Sequence, residues 1–314
     1  MKAAIFNEYG SAENLHIADI PMPSIRADEV LVKVHASAMN PKEVFLRKGR
    51  FKHLSGDDFP KLVGFDFAGE VVEVGSEVTH LAVGEAVYGM LDGWQGGSHA
   101  EYYAAKGNGT ACIPNGLSYA EAAAMPLAML TSYQALLQIG QMQAGQRVLV
   151  NGASGGVGTF AIQIAKAYGA TVTAVCSYRN VELVKALGAD NVLDYTAQDV
   201  LAADESYDIF FDAFGNFEFG KVQHLLTPTG TYITTVLRQH IFRDQELTKH
   251  SEGQKAHLVI VQPSAVDLDV LKPMIEGGQI RPIIDKIYPL NQITDAHRHL
   301  ETKRTRGKVV VQII

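Results

Sequence analysis

The sequence predicts an α/β protein in which a doubly wound parallel sheet is joined to a second, mainly antiparallel β domain. Three observations carry this expectation. From Arg147 onward, short apolar runs alternate with segments of helical spacing, the rhythm of parallel strands linked by crossover helices on both faces of a sheet. A glycine-rich turn, Asn151-Gly152-Ala153-Ser154-Gly155-Gly156-Val157-Gly158, sits between the first of those runs and the helix after it. Ahead of it, Val30-Leu31-Val32-Lys33-Val34 and residues 69–74 alternate apolar with polar character among turn glycines, as half-buried antiparallel strands do.

Each segment follows in order. Residues 1–122 are strand-like and turn-rich, and residues 122–146 carry no charge. That stretch is long enough to cross a bilayer, but Pro126, Gly140 and its glutamines make it a buried helix pair instead. Strand runs then fall at 148–150, 172–176, 208–211, 232–236 and 258–261, with helical spacing at 159–166 and 181–187. After Pro263 a helix is expected over 266–276, and strand character returns at 283–289 and 307–314, the last rejoining the first domain. The expected division is therefore 1–122 with 264–314, around a central domain of 123–263.

Composition excludes several function classes. A chain of 314 residues, 47% hydrophobic and 19% charged, is an ordinary globular protein of about two domains. Twenty-seven basic against 34 acidic residues give a net charge of -7, which offers no footprint for a nucleic acid backbone. Two cysteines, Cys112 and Cys176, make no disulfide framework and point to a reducing cytoplasm. The apolar run at the N-terminus ends at Asn7 and Glu8, too soon for a signal peptide.

The glycine turn is the strongest chemical signal. Glycines there let the backbone approach a pyrophosphate, and the first amides of the following helix face the anion. The second strand ends Cys176-Ser177-Tyr178-Arg179-Asn180, with no acid before Glu182 to receive a free ribose 2′-hydroxyl. A hydroxyl and a guanidinium there suit a 2′-phosphate, with Tyr195 as a further contact, so NADPH is the expected cofactor. The blander alternative makes Arg179 a solvated helix-start residue. Gly152-Ala153-Ser154-Gly155-Gly156 also matches the bare G-x-S-x-G of a hydrolase elbow, which would need a later acid and histidine.

Motifs along nearly the whole length, Ala38-Met39-Asn40-Pro41, Gly64-Phe65-Asp66-Phe67-Ala68-Gly69, residues 97–102, 126–135 and 152–158, and Arg306-Gly307-Lys308-Val309, together resemble the zinc-free medium-chain dehydrogenases/reductases of the quinone oxidoreductase type. The resemblance favours the dinucleotide reading over the hydrolase. It implies a GroES-like catalytic domain made from both chain ends, a central NADP-binding Rossmann domain and a homodimer. It places Asn40 and Thr131 beside the nicotinamide as catalytic positions. Ser154, Gly155, Gly156 and Val157 would hold the pyrophosphate, and Ser177, Arg179 and Tyr195 the adenosine phosphate. Phe214, Gly215, Val261 and Lys308 complete the cofactor-binding set.

Two departures qualify what it implies. Zinc-dependent relatives carry a cysteine near the position of Asn40 and a histidine-glutamate pair where this chain has Phe65-Asp66, so no metal is expected. Many quinone reductases place a tyrosine where Phe51 stands, and Phe51 donates no proton. Phe51, Trp94 and Phe242 are the expected substrate pocket. Lys42 and Glu43 are read as structural salt-bridging residues, His297 and His299 as solvated helix residues, and Cys176 and Cys112 as packed thiols. The expected function is NADPH-dependent hydride transfer to quinones or α,β-unsaturated carbonyls, without metal and without a membrane or nucleic acid partner. The alternatives are a zinc-free carbonyl or alcohol dehydrogenase and a non-catalytic NADPH-binding sensor.

Overall fold

The computed structural model describes Met1–Ile314 as two compact units. One comprises Met1–Leu130, Gln262–Gly277 and Pro282–Ile314; the other Thr131–Val261 and Gly278–Arg281. Residues 123–130, expected in the central domain, pack in the first unit, where the Leu127 amide donates to Asp66 Oδ1 at 2.7 Å. The uncharged stretch forms a short helix, Tyr119–Ala123, then Pro126–Tyr133, which continues as a π-helical turn, Gln134–Ile139. No helix is long and apolar enough to cross a membrane.

The first unit is built on a 7-stranded sheet. Its centre is the long strand Glu29–Ala38, whose β-branched and alanine residues are almost all buried. That strand pairs antiparallel with Asp66–Val74, with Tyr102–Lys106 and with the C-terminal strand Lys308–Gln312. The chain's two ends therefore meet in one sheet, and Lys308 is carried to the level of Ala38 and Asn40. Ile284–Pro289 adds to Lys308–Gln312 in parallel. A 3-stranded sheet holds Lys2–Phe6 between His16–Asp19 and Lys61–Leu62.

The second unit is a Rossmann sheet of 6 parallel strands. Their order in space is Asn191–Asp194, Thr171–Cys176, Arg147–Asn151, Tyr207–Asp212, Leu226–Thr234, Lys255–Leu258. The order reverses between Arg147–Asn151 and Tyr207–Asp212, and a crevice opens at the carboxyl ends of such a pair. One face is a core of Leu149, Val175, Phe210, Tyr232 and Ile241, all buried. The last strand lies earlier than expected: residues 258–261 read as strand from their apolar run, but its partner ends at Thr234, opposite Leu258. Val261 thus lies past the strand, and so do Phe214 and Gly215 past Asp212.

Candidate active site

In the second unit, Arg147–Asn151 delivers the chain into the glycine turn and the helix Gly156–Ala167 carries it away. Gly152 takes φ +75°, a left-handed conformation that favours glycine. Gly158 seats the helix on the strand end, since a Cβ there would meet Gly152 O at 2.3 Å and Ala153 Cα at 2.6 Å. Gly155 faces the other way; a Cβ there would meet nothing nearer than Gly152 O at 3.4 Å. The turn is thus closed toward the strand and open before the first-turn amides of a 12-residue helix, which have no intrahelical acceptors. That cradle fits a pyrophosphate.

The crevice beside it is braced by two residues that the sequence reading missed. Asn151 Nδ2 donates to Asp212 Oδ1 and to Asn216 Oδ1, each at 2.6 Å. Asp212, fully buried, also accepts from the Gly215 and Phe217 amides and the Tyr232 hydroxyl. The loop carrying Phe214 and Gly215 is held against Gly152, whose Cβ would lie 2.9 Å from that of Phe214.

At the far end of the turn, Asn180 Nδ2 donates to Ser154 Oγ at 2.9 Å, tying the pyrophosphate segment to the segment after Cys176. Arg179 stands exposed on a short 3₁₀ turn, its guanidinium 5.7 Å from the Tyr178 ring centroid. Tyr195 is exposed nearby in sequence to Asp194, which pairs in register with Cys176. Hydrogen bonds from the Thr196 side chain and amide, and from the Tyr178 amide, hold the Asp194 carboxyl below its ordinary range. An acid therefore does stand beside this strand end, supplied by the neighbouring strand. Burial pushes the Cys176 thiol up to about 11.

In the first unit, Asn40 caps the helix Pro41–Arg47 and is 3% exposed. Its amide is locked: Nδ2 donates to Asp66 Oδ2 at 2.9 Å, while Oδ1 accepts from Lys308 Nζ at 2.6 Å. Lys308 also donates to Asp66 Oδ2 at 3.0 Å. Both Asp66 oxygens are thus occupied, one by Leu127 N and the other by Asn40 and Lys308. No group of three or more His, Cys, Asp or Glu side chains is arranged to hold a metal ion.

Behind Asn40 lies a buried polar cluster. Glu43 Oε1 accepts from the Asn40 backbone N–H at 3.0 Å, completing the helix cap, and Glu43 Oε2 accepts from His99 Nε2 at 3.0 Å. Arg47 donates through Nε to His297 Nδ1 and through Nη2 to Glu301. His297 is fully buried, which corrects the solvated reading; the helix Ile293–Glu301 turns it inward. Burial, then the charges of His99 and Arg47, holds its pKa well below 6.5. His299 faces outward enough to reach Asp285 Oδ2 at 3.0 Å.

Phe51 and Trp94 come together, with ring centroids 4.1 Å apart. Phe242 belongs to the other unit, exposed on the helix Gln239–Thr248. Lys42 departs from the salt-bridging expectation. Its ammonium lies 4.4 Å from the Phe65 ring centroid and 5.0 Å from that of Trp94. Desolvation lowers its pKa, against the pull of Asp92, Asp66 and Glu43.

Comparison with known proteins decides the family. Residues 26–135 match the alcohol dehydrogenase GroES-like domain, and residues 187–311 match the family described as zinc-binding dehydrogenase. The 2-methylene-furan-3-one reductase of Solanum lycopersicum is 37% identical over 327 residues, covering 100% of this chain and 79% of that protein. The chain belongs to the medium-chain dehydrogenases/reductases of the quinone oxidoreductase type. Within that family, the chloroplastic NADPH-dependent alkenal/one oxidoreductase of Arabidopsis thaliana is 36% identical, covering 99% of this chain and 79% of that protein. The quinone oxidoreductase from Coxiella burnetii, 32% identical, superposes with a TM-score of 0.91 over 100% of this chain and 99% of that one.

Proposed function

We propose that the protein is an NADPH-dependent reductase that transfers hydride to the activated double bond of quinones or α,β-unsaturated carbonyls without a metal. The observation that carries this reading is the cradle at Gly155–Val157, open before a helix N-terminus and lying at the reversal of the strand order. The names of the similar reductases support the acceptor class. Gly155, Gly156 and Val157, with Ser154 tied to Asn180, bind the pyrophosphate. Ser177, Arg179 and Tyr195 take the 2′-phosphate, with Asp194 close enough in the fold to temper the preference over NADH. Phe214, Gly215 and Val261 border the cofactor.

NADPH, when bound, supplies the hydride. Asn40, held by Asp66 and Lys308, presents a fixed amide toward the nicotinamide, and Thr131 lies on the helix Pro126–Tyr133 for the same purpose. Lys308, expected among the cofactor contacts, acts instead by positioning Asn40. Phe51, Trp94 and Phe242 are the proposed acceptor residues. Acceptors whose electron demand is built in need no Lewis acid, and orientation in a dry site does much of the work.

The unpaired edge of Lys255–Leu258 fits a homodimer that continues the sheet across subunits, and the two free thiols fit a cytoplasmic setting. Light scattering that gives a dimer supports the first; a monomer at all concentrations refutes it. The function is tested by following NADPH oxidation with enones, quinones and matched saturated ketones, with and without chelator. Enones and quinones should react far faster than ketones, and chelation should change nothing. Loss of turnover on chelation overturns the metal-free mechanism. Tight NADPH binding with no acceptor reduced makes the protein a sensor.

A further inference from the structure

We propose that Lys42 is the acid that completes the reduction, giving a proton to the acceptor once hydride has been added. The assignment rests on the reductase reading above and on Phe51 and Trp94 lining the acceptor pocket. Phe51 has no proton to give, yet a reduced double bond needs one. Among the side chains around Phe51, Lys42 is placed to provide it. Its ammonium lies over the Phe65 and Trp94 rings, and Trp94 in turn packs against Phe51 at a tilt of 36°.

The cation is held without being neutralised. No carboxylate lies within salt-bridge distance of it, and the charges that face it act through space: Asp92 from the loop after Ala86–Met90, Asp66 from the strand Asp66–Val74, itself paired to Lys308, and Glu43 from its own helix. Aromatic faces stabilise an ammonium while leaving its N–H groups undirected. Of the other acids, His53 beside Phe51 is exposed to solvent on the short helix Lys52–Ser55 and is not held over the Trp94 ring. Lys308 donates to Asn40 and Asp66, Lys61 to Ser55 O, and burial pushes the Tyr88 and Tyr103 hydroxyls upward, away from proton donation. Lys42 is shifted the opposite way, which makes it a stronger acid than a solvated lysine.

The step balances. Hydride from NADPH forms the new C–H bond at the β-carbon of an enone, and the C=C electron pair moves through the α-carbon onto the carbonyl oxygen, giving an enolate. One N–H bond of Lys42 then breaks, its proton bonds to the α-carbon as the carbonyl re-forms, and the neutral amine recovers a proton from water. With a quinone the proton goes to the anionic ring oxygen. No oxidant or reductant beyond NADPH is consumed.

Lys42→Met and Lys42→Arg separate proton delivery from packing, because arginine keeps the cation over the rings but holds its proton. Both variants should lower kcat for an enone at least tenfold, with the NADPH dissociation constant unchanged. The wild-type rate should fall as pH rises through the Lys42 pKa, below the range of ordinary lysines, and both variants should lack that limb. Independently of turnover, NMR of the reductively methylated apo protein should show one lysine, absent from Lys42→Met, titrating below the rest. An arginine variant with wild-type kcat, or a Lys42 signal titrating with the surface lysines, overturns the assignment and leaves the reductase standing. Wild-type protein that reduces neither enones nor quinones overturns the reductase reading and the assignment together.

Discussion

The glycine turn makes opposite demands at Gly155 and Gly158, and alanine at each position tests whether the cradle holds a pyrophosphate. At Gly158 the new methyl would meet Gly152 O at 2.3 Å, Ala153 Cα at 2.6 Å and Ala153 C at 2.8 Å, all backbone atoms. Carbon contacts settle at about 3.5 Å, so the helix must retreat by about 1 Å. Overpacking of this kind costs about 1–3 kcal/mol, and rigid backbone on the other side puts it at the upper end. Better helix propensity of alanine returns about 1 kcal/mol, leaving a net loss of about 2 kcal/mol. Gly155→Ala meets nothing closer than 3.4 Å with φ at −82°, so its stability should fall only by the preference for glycine over alanine at a helix N-cap, about 0.5–1 kcal/mol. Its methyl instead enters the space before the helix amides. Losing one charge-assisted hydrogen bond to phosphate costs about 1.5–3 kcal/mol, so NADPH should bind at least about tenfold more weakly. Urea unfolding of the apo protein and a fluorescence titration with NADPH read the two quantities separately. Wild-type NADPH affinity in Gly155→Ala, or wild-type stability in Gly158→Ala, would refute the reasoning.

Arg179→Ala should weaken NADPH about tenfold or more and leave NADH nearly unchanged, by titration of both cofactors; equal wild-type affinities would remove the 2′-phosphate assignment. Lys308→Met leaves Asp66 and Asn40 buried without their cation and should cost about 3–5 kcal/mol, read from urea midpoints, with an unchanged midpoint as the refuting result. His297 carries a lowered pKa, so below about 6.5 the unfolded chain takes up a proton that the native state refuses. Stability should therefore be full above that pH and decline as pH falls through it, and His297→Gln should flatten the decline in pH-dependent urea unfolding. The Cys176 thiol, buried and pushed up to about 11, should resist alkylation in the native protein at pH values where denatured protein reacts fully.

What the sequence disclosed and what it hid divide along physical lines. The parallel sheet, its crossover helices and the glycine turn are written locally, because strand period, helix period and a tight turn each involve residues near one another in the chain. Backbone-held features were legible for the same reason: the open cradle at Gly155–Val157 is set by the turn itself. Side-chain pairings were not. Glu43 meets His99 across 56 positions of chain and Arg47 meets His297 across 250, and only the tertiary fold brings them together. A histidine on an amphipathic helix therefore read as solvated when it was core, and an acid on the neighbouring strand, Asp194, went unseen beside the ribose end.

The same division explains why the two units differ in how far their roles can be argued from residue type. In the Rossmann unit the proposed binding atoms are main-chain amides, whose position the backbone turn decides. In the first unit the candidate chemistry rests on Asn40, Asp66 and Lys308, three side chains from three strands or loops, each bonded to the other two. An asparagine amide whose oxygen is taken by an ammonium and whose nitrogen is taken by a carboxylate cannot rotate without stranding a buried charge. That lock turns a flexible polar residue into a fixed face, suited to orienting a reactant rather than trading protons with it. Proton delivery must then come from a group outside the lock, and Lys42, two residues along the same helix and turned toward the aromatic side of the site, stands there.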